Sequence, residues 1–176
     1  MRENSSEIIK YIHIARENHK KGNIYQANEI YKKLINQKIY TYELLFSYGL
    51  FCKEINNLKI AKNLFNLSIK KYPSKINAYI LLAEILRKEN KVNDALKTLC
   101  AAKKIEKSNP DIDYNLSISY KTIKSFGEAL LSINSAIKLQ PKNPIYQILK
   151  ADILVEFFKN EEAKKLLVNF CLLYTS

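Results

Sequence analysis

The sequence predicts an all-α protein, an α-solenoid in which antiparallel helix pairs stack one on the next, and three observations lead to that class. Ala27, Ala61, Ala95, Ala129 and Ala163 recur with each alanine 34 residues after the last and no insertion between them. A fixed period of this length marks a supersecondary unit repeated in tandem. With each alanine set at position 20 of a 34-residue unit, position 8 is small throughout (Ala15, Gly49, Ala83, Ser117, Ala151) and position 24 is large and apolar (Tyr31, Phe65, Leu99, Ile133, Leu167). Finally, three Gly and four Pro in 176 residues are too few for many strands and tight turns.

The register divides the chain into a lead-in, residues 1–7, and an array over 8–176, with units 8–41, 42–75, 76–109, 110–143 and an incomplete 144–176. Ser5 or Ser6, ahead of Glu7-Ile8-Ile9, starts the first helix. Each first helix carries apolar residues at three- and four-residue spacing, as in Tyr11, Ile14, Ala15 and in Tyr79, Leu82, Ala83, Leu86. Gly22-Asn23, Asn56-Asn57 and Asn90 mark its end, being residues that tolerate the left-handed conformation. The second helix then runs through the ladder alanine, the large residue at position 24 and position 27 (Leu34, Ser68, Ala102, Ala136, Phe170). Pro73-Ser74, Asn109-Pro110 and Asn143-Pro144 separate units; in the last two, Asn caps the following helix and Pro occupies its first turn. Positions 8 and 20 are small because paired helices approach within roughly 8–10 Å, and the residues at the crossing set that distance.

The fullest pattern reads Tyr79-x2-Leu82-Ala83-x2-Leu86, then Ala95-x3-Leu99-x2-Ala102; the next unit has Leu116-Ser117-x2-Tyr120, then Ala129-x3-Ile133-x2-Ala136 and Pro141. Over residues 8 to about 170 the chain resembles the tetratricopeptide repeat family. The resemblance implies a right-handed superhelix, a protein-interaction scaffold, and a ligand groove lined by positions 2, 5, 9, 12 and 13 of the first helices. Carried over, position 5 becomes an apolar row, Ile12, Phe46, Ile80, Tyr114 and Ile148, and position 12 a basic one, His19, Lys53, Arg87 and Lys121, ending in Val155. The implied ligand is a peptide or helix with apolar anchors beside acidic residues. The alternative is that position 5 partly buries against neighbouring helices and that lysine is simply abundant. Two subtypes of the family are excluded by residue. The two-carboxylate clamp needs Lys and Asn where this chain has Ile12 and Arg16, Phe46 and Leu50, Ile80 and Glu84. The asparagine ladder of glycosyltransferase-linked arrays would occupy His13, Ser47, Leu81, Asn115 and Leu149.

Composition bounds the rest. Lys plus Arg number 29 against 17 acidic residues, a formal charge of +12, yet no run of five basic residues or nucleic-acid motif accompanies it, so lysines spread over solvated faces account for it and RNA is not the expected partner. Cys52, Cys100 and Cys171 have no metal-ligand spacing and read as small apolar fillers; His13 and His19 fall on different faces of one helix. No phosphate loop, H-E-x-x-H, G-x-S-x-G or Cys/His pairing is present, so neither catalysis nor a cofactor or metal is expected. Asp111, Asp113, Glu161 and Glu162 read as helix-start residues that complement the macrodipole. With no secretory signal or membrane-length apolar run, the expected compartment is cytoplasmic. Phe170 and Cys171-Leu172-Leu173-Tyr174 stay apolar where a terminal repeat should turn polar. That pattern suggests a fragment of a longer protein, or a non-native end over 171–176. The rival function follows from it: an arm that recruits substrate for a sulfotransferase, glycosyltransferase or methyltransferase domain.

Overall fold

The computed structural model describes residues 5–157, together with 165 and 168. Among these residues the protein is all-α: α1 (Ser5–Lys20), α2 (Ile24–Asn36), α3 (Tyr42–Glu54), α4 (Leu58–Lys71), α5 (Asn77–Lys88), α6 (Val92–Ile105), α7 (Pro110–Thr122), α8 (Phe126–Leu139) and α9 (Pro144–Glu156). Ala163, Leu167, Phe170, Cys171, Glu161 and Glu162 lie outside the described residues. The chain forms two compact bodies, Met1–Ala78 and Tyr79–Ser176. In the first, α1 packs on α2, α3 on α4, and α1 on α3; in the second, α7 packs on both α6 and α8, and α9 on α8 and α7.

The small positions lie at the seams. Ala27, Ala61, Ala95 and Ala129 have no exposed surface, nor do Ala15, Ala83 and Ser117 from position 8. Ser117 spends its hydroxyl there too, donating to the Ala129 carbonyl at 2.9 Å. Ala101, one residue from the seam position Ala102, is exposed. Ala95→Leu should therefore cost about 1–3 kcal/mol in urea unfolding while Ala101→Leu stays within about 0.5 kcal/mol of wild type; equal midpoints would disprove this register. At position 27, Ser68 is fully buried and its hydroxyl has no hydrogen-bond partner, whereas Ala102 and Ala136 fill the same place without a polar atom.

In the first body the seam is aromatic: Tyr31 stacks on Tyr48 at 5.0 Å and lies 5.4 Å from Phe51. The Tyr48 hydroxyl donates to Asn28 Oδ1 at 3.1 Å. In the second body Ala129, Ile133, Ala136, Tyr146 and Ile153 form the core, with Tyr114, Tyr120 and Leu149 packed around it. Tyr11 and Ile14 of α1 are partly exposed, because among the described residues no earlier helix covers the face that Leu45 and Tyr48 bury in α3.

Four first helices, α1, α3, α5 and α7, end in the same way. Positive φ occurs at Gly22 (80°), Asn56 (61°), Asn90 (59°) and Lys124 (59°), again at 34-residue spacing. The residue after each bonds back five positions: Asn23 to Asn18, Asn57 to Cys52, Lys91 to Leu86 and Ser125 to Tyr120, at 2.7–2.9 Å. These are Schellman closures, in which a left-handed residue lets the chain recover orphan carbonyls. Lys124 has neither the freedom of Gly nor the local bonding of Asn, so it holds a conformation that costs a side-chain-bearing residue about 1 kcal/mol. Lys124→Asn should raise stability by about 0.5–1 kcal/mol in urea unfolding; a fall would contradict the geometry.

Caps behave as their residues suggest. Asn109 accepts from the Asp111 and Ile112 amides and Asn143 from the Ile145 amide, each followed by Pro at the first helical position. Thr41 caps α3 through the Leu44 amide at 3.3 Å. Asp111 and Asp113 do lie in the first turn of α7, but both have further partners. Asp113 is buried and pairs with Lys103 of α6 at 2.6 Å, and Asp111 accepts from the Tyr146 hydroxyl at 3.1 Å. Burial, reinforced by Asp111, pushes the Tyr146 phenol up to about 12. Cys52 is buried, and burial pushes its thiol up to about 12, as befits a filler. Cys100 corrects the filler reading: it is exposed, because position 25 points away from the seam. No helix among the described residues is long and apolar enough to cross a membrane.

Candidate functional site

The sequence rows converge on the face made by first helices, taken within each body. Their residues differ in availability. Ile12 is buried; Phe46, Ile80 and Tyr114 are half-buried; Ile148 is exposed. Phe46 stacks on Tyr42 at 5.5 Å, and Tyr114 sits 5.3 Å from Tyr146. Position 5 thus passes from core to surface along the chain.

The basic row is occupied from within. His19 Nδ1 lies 3.2 Å from Glu54, and its ring meets Phe51 edge-on at 4.9 Å. Arg87 donates to Asn115 Oδ1 at 2.9 Å and to Ser119 Oγ at 3.2 Å. Burial pushes that guanidinium below its usual range, with Glu84 and Tyr114 opposing. Lys121 pairs with Asp152 and, at 2.8 Å, with Glu156. Burial works against its charge, but the two carboxylates outweigh it and hold the ammonium above its ordinary pKa. Each of these side chains reaches the first helix of the following repeat, so the row ties α1 to α3, α5 to α7 and α7 to α9. Lys53 is half-buried.

Between the tied helices lie two clefts. In the first body a space of about 240 Å³ is lined by Arg16, His19, Ser47, Leu50, Phe51 and Glu54, with Tyr31 and Lys20 completing it. In the second body a space of about 260 Å³ is lined by Ile118, Lys121, Thr122, Lys124, Leu149 and Glu156. Among the described residues no group of three or more His, Cys, Asp and Glu is arranged to hold a metal ion. The clefts and their ties are what the row assignments missed. The signal was present in the acids one repeat ahead: Glu54 and Glu156 each stand 35 residues beyond the basic residue that meets them.

No family profile matches the chain. Among curated proteins, the human protein O-mannosyl-transferase TMTC3 is 30% identical over 119 residues, which is 65% of this chain and 13% of that protein. Among solved structures, MamA residues 41 to the end from Desulfovibrio magneticus RS-1 superposes with a TM-score of 0.82 at 17% identity, covering 96% of this chain and 95% of that one. A crystal structure of MamA protein gives 0.78 at 18% identity over 91% and 87% of the two chains. At such identities the likeness is one of fold, and the chain has the fold of the all-α, tetratricopeptide-like helical-repeat solenoids.

Proposed function

We propose that the chain is a non-enzymatic protein-interaction scaffold that binds a peptide or amphipathic helix on the face of its first helices. The observation that carries this reading is an apolar stripe on α9. Ile145, Ile148 and Val155 are 55%, 59% and 51% exposed at helical spacing, and the neighbouring α7–α9 cleft has Ile118 and Leu149 in its lining. Exposed aliphatic residues beside a recess that contains further aliphatic side chains suit an anchored ligand. Lys124, exposed at the cleft, favours an acidic residue flanking the anchors. The helical-repeat fold supports the scaffold role; the groove and its occupant are our inference.

Because Ile148 and Val155 are exposed, changing them tests binding with little risk to folding. Ile148→Asp with Val155→Asp should weaken capture of array-selected peptides at least about tenfold, with the helical circular dichroism unchanged. Unaltered binding by a folded double variant would reject this face.

A second reading is favoured by the name of the curated relative: the repeats would recruit substrate for a transferase. It predicts that the full gene product transfers a glycosyl group to a protein captured by these repeats. A full product with no such activity would leave the scaffold reading alone.

A further inference from the structure

The two clefts occupy the same place in the 34-residue register. Arg16 corresponds to Ile118, His19 to Lys121, Lys20 to Thr122, Ser47 to Leu149 and Glu54 to Glu156, each pair three repeats apart. Both carry the same tie, His19–Glu54 in one and Lys121–Glu156 in the other. They differ in what lines the recess: Arg16 and Ser47 in the first, Ile118 and Leu149 in the second.

Resting on the groove reading above, we propose that the α1–α3 cleft seats a carboxylate side chain of a bound polypeptide on Arg16, where the equivalent place in the α7–α9 cleft has the aliphatic Ile118. The basic side chains of the first cleft are not equally available. Lys20 is paired with Glu17 at 2.8 Å, and His19 faces Glu54. Arg16 has only neutral partners, donating to the hydroxyl of Ser47 with the phenol of Tyr31 beside it. A guanidinium carries five N–H donors in a planar fork that matches a carboxylate, so two hydroxyl contacts leave it unsaturated.

The neighbours suit the assignment. Burial pushes the Tyr31 phenol up to about 12, against the pull of Arg16, so it stays neutral and cannot itself serve as the anion. Glu54, the carboxylate in the lining, is turned to His19. Leu50 and Phe51 offer an apolar wall to the methylenes of an acidic side chain. A recess of about 240 Å³ has room for one such side chain. In the second cleft Ile118 and Leu149 present no donor at these positions, and the Lys121 ammonium is already held by Asp152 and Glu156.

The test uses the whole chain and short fluorescein-labelled peptides chosen from an array of sequences that each carry one glutamate. Binding is read by fluorescence anisotropy. Changing the peptide's Glu to Gln should weaken binding about tenfold or more, and the paired variant Arg16→Ile/Ser47→Leu, which installs the residues of the second cleft, should abolish that discrimination. Arg16→Lys, which keeps charge but loses the fork, should retain part of it. Circular dichroism confirms that each variant is folded. If Glu and Gln peptides bind wild type equally, the carboxylate seat is wrong and the groove stands. If discrimination survives in Arg16→Ile/Ser47→Leu, the carboxylate is read elsewhere. If no array peptide binds wild type, the groove reading fails and this inference with it.

Discussion

Lys103→Ala is expected to lower the stability of the chain by about 3 kcal/mol, enough to drop the melting temperature by roughly 6–12 °C for a protein of this size. The reason lies in Asp113, whose side chain is 4% exposed and whose ion-pair partner is the Lys103 ammonium, 2.6 Å away across the α6–α7 joint. Remove the lysine and a carboxylate is left desolvated and unpaired. The figure is set towards the lower end of what broken buried pairs cost, because Lys103 is itself 30% exposed and water can partly take its place. Elsewhere the same two register positions are apolar or neutral: Ile35 with Leu45, and Ile137 with Gln147. Lys103→Ile combined with Asp113→Leu should therefore recover wild-type stability to within about 1 kcal/mol, or exceed it. Differential scanning calorimetry on the single and double variants decides the matter. A silent Lys103→Ala would mean that the pair contributes nothing, and an unrecovered double variant would mean that the joint needs charge.

Gly49→Ala, a single added methyl, should cost about 1–3 kcal/mol by overpacking. An ideal Cβ at Gly49 would lie 2.7 Å from Phe65 Cε1 and 3.0 Å from Cζ. The Phe65 ring has no exposed surface, so it has nowhere to retreat. The corresponding pair in the third repeat, Ala83 with Leu99, solves the same seam with a larger residue opposite a smaller one. Gly49→Ala/Phe65→Leu should accordingly be less destabilised than the two single variants predict together. A double-mutant cycle in urea measures that coupling, expected at about 0.5–3 kcal/mol. Strict additivity would sever the link between the two positions.

Much of this was legible because packing size repeats with the chain. Position 8, the alanine ladder and position 24 sit at helix seams, and seam geometry recurs every 34 residues, so residue size alone exposes it. The Asn109 and Asn143 caps were legible because their signal is local. What escaped depends on partners. Residue type marks His19, Arg87 and Lys121 as basic, but not that each is held by a group 28 to 35 residues further on. Asp113 resembles an ordinary first-turn acid until α6 brings Lys103 to it. Lys124 carries no left-handed preference of its own, and only its place in the period marks it. Reading His19 and Lys121 against the acids one repeat ahead finds their ties, whereas the tie of Arg87 to the neutral Asn115 carries no such charge signal.

The recurring left-handed closure also bears on how such a chain can change length over time. A gene rearrangement that joins one closure to another, for example by losing residues 23–56, would leave an intact turn, since Gly22 already supplies the geometry that Asn56 supplied to Asn57. The new neighbours would conflict, however: Ala15 would meet the Phe65 ring where Gly49 now makes room. Loss of residues 57–90 would instead set Gly49 against Leu99, a gap rather than a clash. The backbone therefore permits units to be exchanged at any turn, while the seams make some exchanges viable and others not, so that surviving rearrangements should carry both members of a matched pair together.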